Sequence, residues 1–152
     1  MANDQSKRLG ILLELRNKAT MAAYQQWMVA RDQFERHQIK HKQLVHFRED
    51  YLIELGAIGE QGSAISRLRN RIDFINHLDM ALQQINQQLA QLAKQRQQFE
   101  LHYKQKKSEE EAVTRLIDRV QEAARMKQDR LDQKEIDEYG QKQWYSRENH
   151  KR

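Results

Sequence analysis

Apolar residues recur along the first third of the chain at steps of three and four, close to the period of about 3.5 residues that is typical of a coiled coil. His37, His41 and Arg48 fill gaps in this series. The pattern predicts an amphipathic helix over about residues 5–55, whose narrow apolar seam contains Leu9, Leu12, Ala19, Ala23, Trp27, Ala30, Phe34, Leu44, Tyr51 and Leu55.

A second series predicts a longer helix over about residues 64–139. Three of the five glycines, Gly56, Gly59 and Gly62, separate the two series and indicate a turn over about residues 56–63. The seam positions of the second helix are Ile65, Leu68, Ile72, Ile75, Leu78, Leu82, Ile85, Leu89, Leu92, Arg96, Phe99, Tyr103, Val113, Ile117, Val120, Ala124 and Leu131.

The expected fold is therefore all-α: a long antiparallel two-stranded coiled-coil hairpin, with residues 1–152 forming a single domain. A bend near residue 60 makes facing residue numbers add up to about 119, so residue 5 faces residue 114, and the second helix overhangs the first beyond that point. Gly140 is a natural helix end, which predicts a flexible tail over residues 140–152 that includes Trp144 and Tyr145.

Composition supports long helices and excludes several classes of protein. Charged residues make up 32 % of the chain, and proline and cysteine are absent. Such a polar chain cannot build a thick core, and without cysteine it has neither disulfides nor thiolate metal sites. The apolar run at Ile11–Leu13 is too short for a signal peptide, and no run approaches the roughly 18 apolar residues of a membrane span. A cytoplasmic protein is expected.

Catalytic and metal-binding motifs are missing or incomplete. There is no glycine-rich phosphate loop, and a two-helix hairpin offers no concave pocket for a small-molecule substrate, so no catalytic or cofactor-binding residue is predicted. His37 and His41 stand one helical turn apart, but Gln38 occupies the position of the glutamate in a zinc-protease motif. Leu131 and Lys134 break the pattern of a calcium loop that would start at Asp129, so no metal site is predicted.

The net charge of +5 permits an anionic partner. Basic residues concentrate in Ser66–Arg71 and Lys94–Lys107. Phe99 and Tyr103, the aromatic residues of the second stretch, belong to the seam, so they favour a core role over stacking on nucleic acid. Nucleic-acid binding is therefore the less favoured interpretation, and a solvated helix face or contact with an acidic protein surface is preferred.

Two surfaces are candidates for binding a partner. Phe47 and Phe74 lie one position off their seams and near each other, with Leu44, Tyr51 and Leu78 beside them, so they form an apolar patch or simply widen the seam. In the overhang, Leu131, Ile136 and Tyr139 share an arc of about 140° with Asp132 and Glu135. The acids disfavour a self-dimer seam and favour a partner that supplies basic groups. A solvated helix end is the alternative.

The overhang sequence "RLDQKEIDEYGQK" resembles the C-terminal signature of the FliJ proteins of bacterial flagellar type III export. It matches at Arg130, Asp132, Gln133, Lys134, Asp137, Glu138 and Gln141. Leu131 and Ile136 replace methionines of that signature, Tyr139 replaces phenylalanine and Lys142 replaces arginine. "FINHLDMALQQ", residues 74–84, resembles the middle segment of the family.

The resemblance implies a coiled-coil stalk that enters the hexameric flagellar export ATPase, promotes its assembly and activity, contacts the transmembrane export gate protein and escorts substrate-specific export chaperones. It implies a cytoplasmic location at the inner face of the cytoplasmic membrane, and a link to motility and chemotaxis. The implied gate-binding residues are Leu44, Phe47, Tyr51, Phe74, Leu78 and Ala81. The overhang residues that would meet the ATPase ring are Arg130, Leu131, Asp132, Gln133, Lys134, Ile136, Asp137, Glu138 and Tyr139.

Three alternatives stay open. The stalk proteins of virulence type III secretion share the architecture, although the charged signature favours the flagellar branch. A structural coiled coil that forms homodimers and a nucleic-acid-binding protein are the others.

Overall fold

The computed structural model describes residues 2–60 and 65–151, and these residues form two α-helices. Helix α1 is Ala2–Glu60 and helix α2 is Ile65–Lys151. The two helices pack against each other, which confirms the predicted all-α helical hairpin. The chain contains no proline, so no residue of either helix lacks its backbone donor or forces a kink. Pairs of opposite charge one turn apart, such as Glu14 with Lys18 at 3.8 Å and Glu100 with Lys104 at 3.3 Å, add to their stability.

The chain divides into a turn-proximal part, Ala19–Lys106, and a terminal part that comprises the residues up to Lys18 and those from Lys107 onward. The core of the turn-proximal part contains Ala23, Ala30, Ile75 and Leu78. Alanines at the seam allow the two helices to approach closely, and large rings close its edge: Trp27 and Tyr103 stack with their centroids 5.3 Å apart. That residues 1–152 form a single domain stays a prediction.

The terminal part combines a short apolar seam with polar contacts between the helices. Val113 is buried there. The Arg16 guanidinium donates to Glu109 Oε2 at 3.1 Å, and Asn17 Nδ2 donates to Glu110 Oε1 at 3.2 Å. These contacts fix which residues of α1 and α2 face each other in this part.

The predicted seam is largely the observed one. The positions predicted for α1, including the gap-filling His37, His41 and Arg48, are all buried or half-buried. On α2 the predicted positions from Leu68 to Val120 are inward-facing except Ile72, which is exposed. Ile65 is exposed as well. Ala124 and Leu131, the last two predicted seam positions, are also exposed. The periodicity predicted too long a seam at both ends of α2, because a stripe of apolar residues does not show where a partner helix is present to cover it.

The predicted turn begins too early. Gly56 and Gly59 lie inside α1, which continues to Glu60, while Gly62 lies outside the described residues. A glycine inside a helix costs only about 1 kcal/mol, and the end of α1 is held to α2 by an ion pair of 2.6 Å between Glu54 and Arg71.

The pairing of the two helices also differs from the expected one, in keeping with a first helix that continues to Glu60. Arg16 contacts Glu109, whereas the expected pairing would have placed it opposite residue 103. At the other end of the seam, Leu9 lines a groove together with Ile117 and Val120. The overhang therefore begins near residue 121 rather than at residue 115.

The prediction of a flexible tail is wrong, because α2 continues through Gly140 to Lys151. The glycine is followed by good helix formers, and proline is absent. Hydrogen bonds one turn apart stabilise this end: Gln133 donates to Asp137 at 3.1 Å, and Gln143 donates to Tyr139 Oη at 2.9 Å across Gly140. Trp144 and Tyr145 consequently lie on a helix.

Replacing Gly56 by alanine should stabilise the protein by about 0.5–1 kcal/mol, since alanine has the higher helix propensity. An added Cβ at this position would have no atom within 4 Å. Urea unfolding followed by circular dichroism measures the change. A destabilised variant would instead place Gly56 in a turn that requires glycine.

Candidate partner-binding surfaces

The apolar patch, defined as Leu44, Phe47, Tyr51, Phe74, Leu78 and Ala81, lies in the turn-proximal part of the hairpin. Phe47 is 55 % exposed and Phe74 is 43 % exposed. The ring of Phe74 packs against that of Tyr51, with a centroid distance of 4.5 Å and an angle of 37° between the ring planes. The structure therefore brings aromatic residues of both helices together and leaves two of their rings accessible.

Two arginines hold the helices in place around this patch. The Arg71 guanidinium lies 5.0 Å from the centre of the Tyr51 ring and donates to Glu54 Oε2 at 2.6 Å. The Arg48 guanidinium donates to Asp79 Oδ1 at 2.5 Å. Because these contacts join α1 to α2 beside the patch, they limit sliding of one helix along the other and fix the spacing of the exposed rings.

Not every residue of the patch is available to a partner. Leu78 is only 8 % exposed and belongs to the seam core, while Leu44 and Ala81 are half-buried. Leu78 thus belongs to the seam itself, whereas Phe47 and Phe74 present apolar surface to solvent. Sequence analysis missed Ile53 and Met80, which are also exposed. Both are apolar residues that fall outside the predicted seam, and this feature of the sequence could have identified them as exposed apolar surface.

The second surface is the overhang, residues 121–151 of α2. Every one of these side chains is exposed. Leu131 is 49 % exposed, Ile136 63 % and Tyr139 64 %, so no part of the described chain covers them. Apolar groups of this size left in water are a source of binding free energy when a partner buries them.

The polar residues of the overhang interact mostly within their own helix. Gln128 donates to Asp132 Oδ1 at 3.0 Å, and Gln133 donates to Asp137. Arg130 and Lys134 form no ion pair with any residue that the structure describes. The nine predicted overhang residues lie on one helical segment, and both charges and apolar groups remain available on it.

Sequence analysis missed the aromatic pair beyond the signature. Trp144 and Tyr145 contact each other edge to face, with centroids 5.3 Å apart, and both are exposed. With Ile136, Asp137, Gly140 and Gln141 they line an open groove. The helical spacing of Ile136, Gly140 and Trp144 could have indicated this groove, had the helix not been expected to end at Gly140.

The aromatic and histidine residues considered above for nucleic-acid or metal binding lie in or beside the seam between the helices. Tyr103 stacks on Trp27, in agreement with a seam role, and Phe99 is half-buried. His37 Nδ1 lies 2.8 Å from the backbone carbonyl of Gln33. Among the residues described, no group of three metal-binding side chains comes together. Neither helix, over its described length, is apolar enough to cross a membrane.

Leu78→Ala should destabilise the protein by about 2–3 kcal/mol, since it opens a cavity in a thin core. Phe47→Ala is the matched control, with an expected loss below about 1 kcal/mol because the ring is half in water already. Urea unfolding of both variants gives the comparison. Equal losses would contradict the assignment of Leu78 to the core and Phe47 to the surface.

Comparison with known protein families gives a match over most of the chain. A family model described as "Flagellar FliJ protein" matches residues 5–149, which is nearly the whole chain. No curated protein and no solved structure matches the chain.

Proposed function

The chain belongs to the FliJ family, which functions in flagellar protein export, and on this basis we propose that it is the coiled-coil stalk that binds the hexameric export ATPase. The observation that carries the proposal is the overhang. A helical segment of residues 121–151, exposed along its whole length, extends beyond the start of α1. Family membership supplies the kind of partner, and the exposed segment supplies the surface.

Leu131, Ile136 and Tyr139 would provide the apolar contacts with the ring. The charged and polar residues around them, Arg130, Asp132, Gln133, Lys134, Asp137 and Glu138, would orient the helix through ion pairs and hydrogen bonds. The chain would promote ring assembly by binding several ATPase subunits at once, and ATPase activity by favouring the assembled ring. FliJ is an export stalk family and is not known as an enzyme family, so hydrolysis would belong to the ATPase.

The apolar patch would bind the transmembrane export gate protein. Phe47 and Phe74 are the residues most available for this contact, and the ion pairs of Arg48 and Arg71 hold them in place. A protein with these two partners would work in the cytoplasm at the inner face of the membrane. We also propose, from family membership alone, that it escorts substrate-specific export chaperones.

The alternatives receive less support. The matched family is flagellar, which favours flagellar export over virulence secretion. Tyr103 stacks on Trp27 and Phe99 is half-buried, which leaves little aromatic surface in the basic stretch for single-stranded nucleic acid. A homodimer through the overhang would have to bury the acids that share an arc with its apolar residues, at a cost in free energy.

The double variant Ile136→Glu, Tyr139→Ala should lose binding to the purified hexameric export ATPase by tenfold or more, on the order of 1.4 kcal/mol. It removes apolar surface and adds a charge where the ring would bury the helix. Met126→Ala is the matched control, because Met126 is an exposed apolar residue of the overhang outside the signature.

Fluorescence anisotropy with a label on α1 measures the affinity, and turnover assays measure stimulation of the ATPase. Unchanged affinity in the double variant would contradict the proposed site. Absence of both binding and stimulation with the wild-type chain would reject the stalk function itself.

For the gate, Phe47→Ala with Phe74→Ala should weaken binding to the purified export gate protein while leaving ATPase binding intact. The two rings supply most of the exposed apolar area of the patch. Ile39→Ala, which removes a side chain of α1 that is as exposed as Phe47 and lies outside the patch, should bind as the wild type does. A pull-down in detergent tests this, and equal capture of all three proteins would rule the patch out as the gate site.

A further inference from the structure

Near the end of α2, the missing side chain of Gly140 leaves a groove on the helix surface. Gly140 lies between Ile136, four residues before it, and Trp144, four residues after it, so the three share one face of the helix. A Cβ built on Gly140 would meet nothing within 4 Å. The helix surface is therefore open at Gly140 and bounded by two large apolar side chains, which are 63 % and 59 % exposed.

The edge of this groove is acidic. Asp137 is its only charged lining residue among those described, and the remaining polar lining residue is Gln141. One oxygen of the Asp137 carboxylate accepts a hydrogen bond from Gln133. No residue in the described part of the chain forms an ion pair with Asp137. The carboxylate and the exposed indole line the same groove about two helical turns apart, with the aliphatic Ile136 next to the carboxylate. This combination suits a long cationic side chain.

The chemistry of the lining favours arginine as the occupant. Its aliphatic stem would cross the open surface at Gly140 and pack on Ile136. Its planar guanidinium would stack on the Trp144 ring, as arginine does on aromatic faces, and donate hydrogen bonds to Asp137. Lysine offers a stem and a charge but no plane to stack on the ring, and an aliphatic side chain would leave the carboxylate unused.

We propose that this groove, formed by Ile136, Asp137, Gly140 and Trp144, binds an arginine side chain of an export ATPase subunit. The proposal rests on the proposed function, since it takes the ATPase ring as the partner of the overhang. It extends the binding surface from the nine predicted overhang residues to Gly140 and Trp144, and it gives the exposed indole a role. Glycine at position 140 is then required by the ligand, because the helix itself would be more stable with alanine there.

Gly140→Leu is the central test because it fills the groove while favouring the helix. Binding of the purified hexameric ATPase should fall about tenfold, and Trp144→Ala and Asp137→Asn should each weaken it by about threefold, in line with a lost stacking contact or ion pair. Gly56→Leu is the matched control, since Gly56 is also a helical glycine with open space around it. Circular dichroism should show helix content in the Gly140 variant at least equal to the wild type.

The outcomes separate this inference from the proposed function. If the wild-type chain binds the ATPase and Gly140→Leu and Trp144→Ala bind equally well, the groove is not the arginine site, while the stalk function stands. If the wild-type chain does not bind, both fail. A dimer of the chain in light scattering that Gly140→Leu abolishes, with ATPase binding unchanged, would assign the groove to a second copy and overturn the inference.

Discussion

The narrow apolar seam between α1 and α2 is the interaction on which the structure depends. Because the chain is too polar for a thick core, the buried apolar side chains of the described residues reduce to Ala23, Ala30, Ile75, Leu78 and Val113. Alanines bring the helices close, and rings such as Trp27 and Tyr103 cover the edges. Polar contacts between the helices, Arg16 with Glu109 and Arg48 with Asp79, then select one pairing of the two helices among those that a repetitive seam would allow.

One of the two candidate binding surfaces lies beside this seam, and the other lies beyond its end. Near the turn, Phe47 and Phe74 sit just outside it and stay half in water. Beyond the start of α1 the seam of α2 has no α1 residue opposite it. The exposed residues 121–151 form a helix held by its own backbone and by contacts one turn apart. Such a helix is long enough to persist in water, yet it gains no burial within the chain. A binding partner can supply that burial.

The sequence predicted the fold well and its boundaries less well, for physical reasons. Periodicity identifies seam positions such as Ala23 and Leu78, because the residues buried between two packed helices recur with the helical period. The expectation that the helices end at Gly56 and Gly140 is wrong. Glycine ends a helix only when another backbone conformation is more stable, and here the continuous backbone hydrogen bonds of the helix outweigh one poor helix former. The first helix ends about five residues later than expected, at Glu60, and the helices pair differently as a result. The expected tail concealed the groove beside Trp144.

Hydrogen–deuterium exchange of the chain with and without the hexameric export ATPase tests the central claim most directly. The account predicts that amides of residues 121–151 exchange quickly in the free protein, because this helix lacks tertiary packing, and become protected when the ATPase is added. Protection in the middle of the turn-proximal part should stay as it was. A complex in which the ATPase co-purifies while the overhang exchanges as fast as before would contradict the account.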